Sequence, residues 1–482
     1  MKKTVIAYLH THWDREWYRE FEVFRLRLIR VFDNVLTMLE QNKIPSFYFD
    51  GQVVALLDYL ELRPEKEALI RKLIKAKKLF IGPFYCLVDE FLTDGICFRK
   101  NLEIGLKIAK NFGCKDFLGY FADTFGHSQN VATILKEFNI DKAVVWRGVG
   151  DLPSNFVFNG VNTVNLVRGY FNDLFSAKIS VEEKAKRLQK ELDMIAEKSG
   201  DYLLLPIGAD HLGVEPDIAE QINKVNSLLK DYKIVLSSPF EYFKKTEFKK
   251  KWNDELRDNS KTFILQGCYS ARTKLKQYNT ECSYILNQAD KVQQKYDGQY
   301  SAPIEYAYKL LLKNQAHDSI CGCSTDLVHQ ENIVRYEKIL QIANTIIEEL
   351  RLKHNFKTPV IYSTKPIKGY DIVETFNGFD NSILYDTQKI PITEDYTTVY
   401  KLRKSPKKTA DLKLKLKNGK LYLNNIEIQA SSNPMSRKTQ SGMAKVSYLE
   451  HRLKSVISEE RYEEAAAIRK EINRLKEKTN KS

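Results

Sequence analysis

The chain has 482 residues, more than one domain usually uses, and its 43% of hydrophobic residues can fill a sizeable core, so two or three domains are expected. The formal charge of +14 is unevenly spread: residues 401–420 hold nine Lys/Arg against one Asp, and 431–482 hold twelve against seven Glu. The first 400 residues are close to neutral, which argues against a nucleic-acid domain there. Seven cysteines (Cys86, Cys97, Cys114, Cys268, Cys282, Cys321 and Cys323) are odd in number and form no CxxC pair, so a zinc ribbon and a disulfide framework are both excluded. The apolar run at residues 5–9 is too short for a signal peptide, and no segment approaches membrane-spanning length. A reducing cytoplasm is the expected compartment.

From residue 1 to about 262, apolar runs alternate with helical patterns. TVIAYLH, PSFYFDG, KLFIGPFY, FLGYFAD, KAVVWRGV, YLLLPIGAD and KIVLSS read as strands. FRLRLIRVFDNVLTMLEQ and VEEKAKRLQKELDMIAEKSG read as helices between them. This alternation predicts an α/β domain, with a mostly parallel sheet or distorted barrel. Residues 263–356 carry apolar residues at helical spacing, with a break near HDSICGCSTD, and predict a small helical bundle. Residues 357–429 change to short β patterns: PVIYST, YDIVETF, SILYD, TTVYKL, LKLKL and LYLNNIEI. The small polar residues of 430–446 predict a linker, and 447–482 predict a helical hairpin.

In α/β folds, ligands sit at the carboxyl ends of the strands. Polar clusters fall there: HTHWD after VIAYL, ADTFGH after FLGYF, and GADH after LLLPI. His12 and Asp14 are two residues apart, so in extended chain their side chains share a face and can hold one metal; His10 has the same parity. Asp123 and His317 are candidates for the remaining ligands. Such a His/Asp set suits zinc and tolerates manganese or cobalt. Each residue also has a plainer reading. Asp210 could cap a helix, Gly126 could supply an unusual backbone angle, and Trp13 and Trp17 could both be core.

Taken together, HTHWDREW, FADTFGH followed by LKEFNIDKAVVWRG, SARTKLKQYN and NQAHDSICGCSTDLVH resemble the glycoside hydrolase family 38 α-mannosidases of bacterial type. The four motifs occur in the family's order between residues 4 and 355. The resemblance implies an N-terminal α/β domain, a three-helix middle domain, one divalent cation (usually zinc) and hydrolysis of α-mannosides with retention. It implies His12, Asp14, Asp123 and His317 as metal ligands, with Asp123 also the nucleophile. It implies Trp17 as a platform for the mannose ring, Arg147 beside the nucleophile, Asp318 as a substrate contact, and Asp210 as the candidate acid/base. A metal on Asp123 would keep it ionised, while a desolvated Asp210 could hold its proton for the leaving oxygen.

Two departures stand out. The family usually has proline before the nucleophile, where this chain has Ala122. The family's large C-terminal β-sandwich domains also have only about 70 β-patterned residues as counterpart, so the chain is expected to be truncated. That leaves a second reading, an inactive mannosidase domain acting through its tail, and makes self-association an expectation. A third reading, a metal-dependent deacetylase on a similar barrel, explains the HxHxD-type ligands but not NQAHDSICGCS. In the tail, ERYEEAAAIRKEINRLK resembles the UVR motif, which implies a protein partner bound through 447–482; an ordinary charged amphipathic helix gives the same pattern.

Overall fold

The computed structural model describes residues 2–353 except residue 297, and, further on, only six strand segments between residues 370 and 428. Two compact units result, Met1–Leu350 and Arg351–Ser482. The expected strands PVIYST and SILYD, the linker at 430–446 and the hairpin at 447–482 lie outside the described residues.

Unit one is built on parallel strands, as the continuous apolar runs predict. Strand β1 (Lys3–Leu9) pairs in parallel with β8 (Tyr202–Ile207) and with β9 (Tyr232–Leu236). Strands β2 (Phe47–Tyr48) and β3 (Leu79–Phe80) pair with each other. A mixed sheet runs in the order β10 (Lys250–Trp252), β6 (Asn155–Phe158), β7 (Val161–Asn165), β5 (Lys142–Val145), β4 (Gly119–Phe121). All its pairings are parallel except β6 with β7. The β6–β7 hairpin and β10 add to the seven strands read from the sequence. The hairpin turns at Asn159–Gly160, where both residues have positive φ (46° and 89°), the requirement of a tight two-residue turn.

One interior core joins these sheets. It draws Ile6 and Tyr8 from β1, Tyr48, Phe80, Tyr120, Val144, Val164 and Leu204 from the other strands, and Tyr242 from a covering helix. Side chains two apart on a strand share a face. Continued past the strand ends, the core-facing alternation Ile6–Tyr8 reaches His10, His12 and Asp14. The alternation from Tyr48 reaches Asp50 and Gln52, and that from Leu204 reaches Asp210. Backbone bridges keep these extensions in register, His10 with Tyr48 and His12 with Asp210. The polar residues thus sit over the mouth of the apolar core.

Helices surround this core. Helix α1 (Phe21–Glu40) buries Phe24, Leu28, Phe32, Val35, Met38 and Leu39, the stripe its spacing predicts. Helix α4 (Gly95–Phe112) is capped by Asp94, whose carboxylate accepts from Ile96 N and Cys97 N, and closed by Gly113 at φ 99°. Helix α6 (Val181–Ala196) starts at Ser180, whose hydroxyl accepts from Glu183 N.

The helical part holds α9 (Thr273–Tyr296), α10 (Ser301–Gln315), α12 (Asp326–Lys353) and, at the expected break, the single turn α11 (His317–Cys321). Ala316 is extended (φ −47°, ψ 137°) and separates α10 from α11. His317 N then donates to Leu87 O at 3.0 Å, pinning α11 against the α/β part. In unit two, the described strands are antiparallel: Tyr370–Phe376 and Gln388–Pro391 flank Tyr396–Leu402, and Lys420–Leu423 lies between Leu414–Lys417 and Ile426–Ile428. Among the described residues, no helix is long and apolar enough to cross a membrane.

Candidate active site

The strand ends and α11 bring His12, Asp14 and His317 together, buried, with one ligand-type atom of each within 4.8 Å of the others. His12 Nε2 lies 3.0 Å from Asp14 Oδ1, and His317 Nε2 lies 3.3 Å from the same oxygen. Asp123 Oδ2 lies 3.6 Å from His317 Nε2. Despite these distances, His12 Nε2, Asp14 Oδ1 and His317 Nε2 are buried with no hydrogen-bond partner. Buried polar atoms left without partners are costly, and three converging on one point have the geometry of ligands to a cation.

The charge balance points the same way. Burial works against charge on His12, yet Asp50 and Asp14 outweigh it and raise the imidazole well above its ordinary value. His317 is likewise raised by Asp318, Asp123 and Asp14 against burial. A pocket this rich in carboxylates favours positive charge, which a divalent ion would supply. The donor set of two imidazole nitrogens and carboxylate oxygens fits zinc, with manganese or cobalt tolerated.

Two supporting residues escaped the sequence reading. Asp50, at the end of β2, accepts from His12 Nδ1 at 3.0 and 3.1 Å, from Trp13 N at 2.8 Å and from Gln52 Nε2 at 2.8 Å. With Nδ1 facing Asp50, the His12 Nε2 lone pair is turned to the cluster, the carboxylate–histidine arrangement common behind metal ligands. His211, the last residue of GADH, places Nε2 at 3.2 Å from Asp14 O and packs at a tilt against Trp13 and Phe24, with ring centroids at 4.7 and 4.2 Å.

Asp123 is held from the other side. Arg147 Nε donates to its Oδ1 at 2.7 Å, and the second guanidinium donor goes to the same oxygen. Oδ2 is left toward His317. Burial raises the Asp123 carboxyl, but His317 and Arg147 outweigh it and keep it below the ordinary carboxylate value. Arg147 is fixed over the Trp146 and Phe125 rings at 4.1 and 4.5 Å. Gly126 has φ 93°, and Leu256 O stands 3.0 Å from where a Cβ would be, so the unusual backbone angle read from DTFGH is present. Ala122 is fully buried in the core.

Asp210 differs in environment. Burial raises its pKa, with His12 opposing and Asp14 adding, and Tyr170 Oη donates to its Oδ1 at 2.7 Å. Asp318 is buried beside His317, with Oδ2 at 3.6 Å from His317 Nε2, and burial raises it strongly. His10 is completely buried, its Nε2 on Tyr170 O at 3.0 Å, and burial pushes it down to about 4: a neutral core histidine, outside the cluster. Trp13 is also buried. Trp17 is half-buried, its ring against Tyr18 and its carbonyl accepting from Thr325 N.

An α/β fold with carboxylates at its strand ends, one held ionised and one raised, fits a glycoside hydrolase. The chain belongs to glycosyl hydrolases family 38: the pattern of that family's N-terminal domain matches residues 2–281, and that of the alpha mannosidase middle domain matches residues 264–352. It is 36% identical over 384 residues to a protein of Halalkalibacterium halodurans named "Putative mannosylglycerate hydrolase", covering 72% of this chain and 42% of the relative. It is 23% identical over 365 residues to human alpha-mannosidase 2C1, covering 71% of this chain and 34% of that protein. Its structure is similar to that of an alpha-mannosidase from Enterococcus faecalis V583, with a TM-score of 0.70 and 28% identity over 84% of this chain and 55% of that one. The chain thus spans about two fifths or less of the length of these curated relatives.

Proposed function

We propose that the protein is a metal-dependent retaining α-mannosidase, hydrolysing terminal α-mannosides of oligosaccharides or of mannosyl conjugates such as mannosylglycerate. The observation that carries this reading is the convergence of His12 Nε2, Asp14 Oδ1 and His317 Nε2, buried and without hydrogen-bond partners, with Asp123 Oδ2 at 3.6 Å from His317 Nε2. These four would hold zinc, which would supply positive charge for orienting sugar hydroxyls and keeping Asp123 ionised. The catalytic domain is residues 1–262, and 263–356 is its helical partner, contributing His317 and Asp318.

In this reading Asp123 attacks the anomeric carbon, its carboxylate held in place by the two Arg147 donors on Oδ1. Asp210 enters the cycle protonated and gives its proton to the leaving oxygen; burial favours that neutral form. It then takes a proton from the water that releases the glycosyl group from Asp123. Trp17 and Asp318 position the sugar. The free state of the seven cysteines supports a cytoplasmic setting. The 447–482 tail is a separate proposal resting on its sequence alone, as a contact for a protein partner; a pull-down with residues 447–482 tests it.

The test is hydrolysis of an aryl α-mannoside and of mannosylglycerate by chelator-treated protein, with and without added zinc or cobalt. Metal-restored turnover with the α-anomer of mannose as the first product is expected. Turnover that is indifferent to chelation removes the metal-dependent reading, and a β-anomer first product removes retention.

A further inference from the structure

The break HDSICGCSTD supplies His317 and Asp318, and the hydrolytic reading leaves its second half, GCST, unused. Helix α11 stops at Gly322, whose φ of 82° turns the chain back. A side chain there would be strained, and its Cβ would stand 3.3 Å from the Arg272 side chain. Arg272 Nε donates to Gly322 O at 3.1 Å and holds the reversal. The next three residues therefore return to the site.

Each of them takes hold of a proposed sugar contact. Ser324 Oγ donates to Asp318 O at 3.1 Å, and Thr325 N donates to Trp17 O at 3.0 Å. These two fix backbone. Cys323 reaches the carboxyl itself: its Sγ donates to Asp318 Oδ1 at 3.2 Å, with Asp318 O at 3.5 Å. Asp318 is 6% exposed, and a buried carboxyl oxygen is costly without a donor. The last torsion of an aspartate is soft and roughly two-fold, so a donor on one oxygen fixes the orientation of the group. Loss of water around the sulfur and the Asp318 charge push the Cys323 thiol well above its ordinary value, which suits an S–H donor rather than a nucleophile. Cys323 is exposed as a residue, with only its thiol turned in to Asp318, so replacing it costs the fold little.

We propose that Cys323 is a positioning residue of the sugar site, whose thiol holds the Asp318 carboxyl in the orientation that meets the substrate. This rests on the reading of Asp318 as a sugar contact. A thiol is a weak donor, but its task is to select one orientation of a group that the surrounding protein already confines. Together with the Thr325 contact to Trp17, it makes GCST a strap that holds both sugar contacts from one side.

The test compares C323A, which removes the donor, with C323S, which keeps one, in the full chain with zinc added. C323A should unfold in urea at the wild-type midpoint and lose about three- to tenfold in kcat/KM on an aryl α-mannoside, the worth of one hydrogen bond. The loss should fall in KM, as for a contact made equally in the ground and transition states, and C323S should recover most of it. D318N alone should lose more, and adding C323A to it should cost nothing further. Unchanged kinetics in C323A, or losses that add in the double variant, overturn the proposal. A second arm needs no turnover. Iodoacetamide near pH 8 should alkylate Cys323 slowly in the wild type and at least about fivefold faster in D318A, or in D318N where the alanine variant does not fold, read from the mass of the modified peptide. Equal rates remove the contact between Cys323 and Asp318. The kinetic arm rests on the hydrolase reading, whereas the labelling arm does not: a wild-type chain with no turnover, but faster labelling in the Asp318 variant, keeps the contact and sinks its role in holding a sugar.

Discussion

Two buried polar networks meet on the short segment from His12 to Glu16, and they are built to opposite rules. Around Glu16 every partner is supplied. Its oxygens accept from Arg335, from Ser319 Oγ at 2.9 Å and from Arg15 at 3.3 Å. Arg335 also donates to Asn332 Oδ1 at 2.8 Å, Asn314 Oδ1 at 3.1 Å and Glu331 Oε2 at 3.0 Å. Burial would raise Glu16, yet Arg335 outweighs it and lowers the carboxyl, so the pair stays charged. Two residues earlier, Asp14 and its neighbours lie at comparable distances with three atoms unpartnered. A satisfied buried network holds elements together, here the opening motif against α12. An unsatisfied one at a cavity mouth carries a standing cost that a bound ion or substrate would relieve.

The contrast predicts different failures. Replacing Asp123 with Asn should cut turnover on an aryl α-mannoside by on the order of 10^4-fold or more while leaving the thermal midpoint close to wild type. Comparable losses of activity and stability would mean that the Asp123 side chain is structural. Replacing Arg335 with Met should do the reverse. It leaves Glu16 buried and uncompensated, at a cost of about 3–5 kcal/mol in urea unfolding. The double variant with Glu16→Gln should recover part of that loss, and a double variant no better than the single would remove the ion pair as the cause.

A smaller effect falls on the carboxylate behind His12, the proposed metal ligand. Asp50→Asn keeps an acceptor for His12 Nδ1–H but removes the charge, so zinc affinity should fall about 10–100-fold in competition with a chelator. An unchanged affinity would show that Asp50 serves only its contacts with Trp13 N and Gln52 Nε2.

Asp50 also marks where the sequence stops being readable. The strands were legible because buried parallel strands are continuous apolar runs, and His12 with Asp14 was legible because two-residue spacing sets a shared face. Asp50 is followed by Gly51 and looks like a turn; its role depends on β2 lying beside the extension of β1, a contact across 38 residues. Glu16 and Arg335 are 319 residues apart, and no local pattern couples them. His211 adopts φ 56°, a conformation that nothing in GADH announces. The β6–β7 hairpin is different, because its signal was present. Asn159–Gly160 between FVF and VNTV is a strong short-range hairpin mark, masked by the polar residues of two short strands. The motif order, by contrast, pointed to the family directly, since four separated motifs rarely align by chance.

Beside the satisfied network, an unpartnered histidine gives the smallest test. His329 Nε2 is buried without a partner, while Nδ1 faces Asn332 Nδ2 at 3.3 Å. Here Glu16 is the carboxylate that acts on the ring, and it is outweighed. Burial, with the nearby Arg272 charge, pushes His329 down to about 4. The sign follows from linkage. Above about pH 6.5 the ring is neutral in both folded and unfolded chains and contributes nothing. Below that, the unfolded chain takes up a proton that the folded one refuses, so stability falls as pH drops from about 6.5 toward 4. The loss due to this residue should reach about 1–2 kcal/mol near pH 5. Other buried histidines titrate in the same range, so the measurement is the difference between wild type and His329→Gln in urea unfolding at pH 7 and pH 5. The variant should lose less on acidification. Parallel losses would mean that the ring finds a partner for its proton, and the line drawn between the two networks would then have to be moved to place His329 among the groups awaiting a ligand.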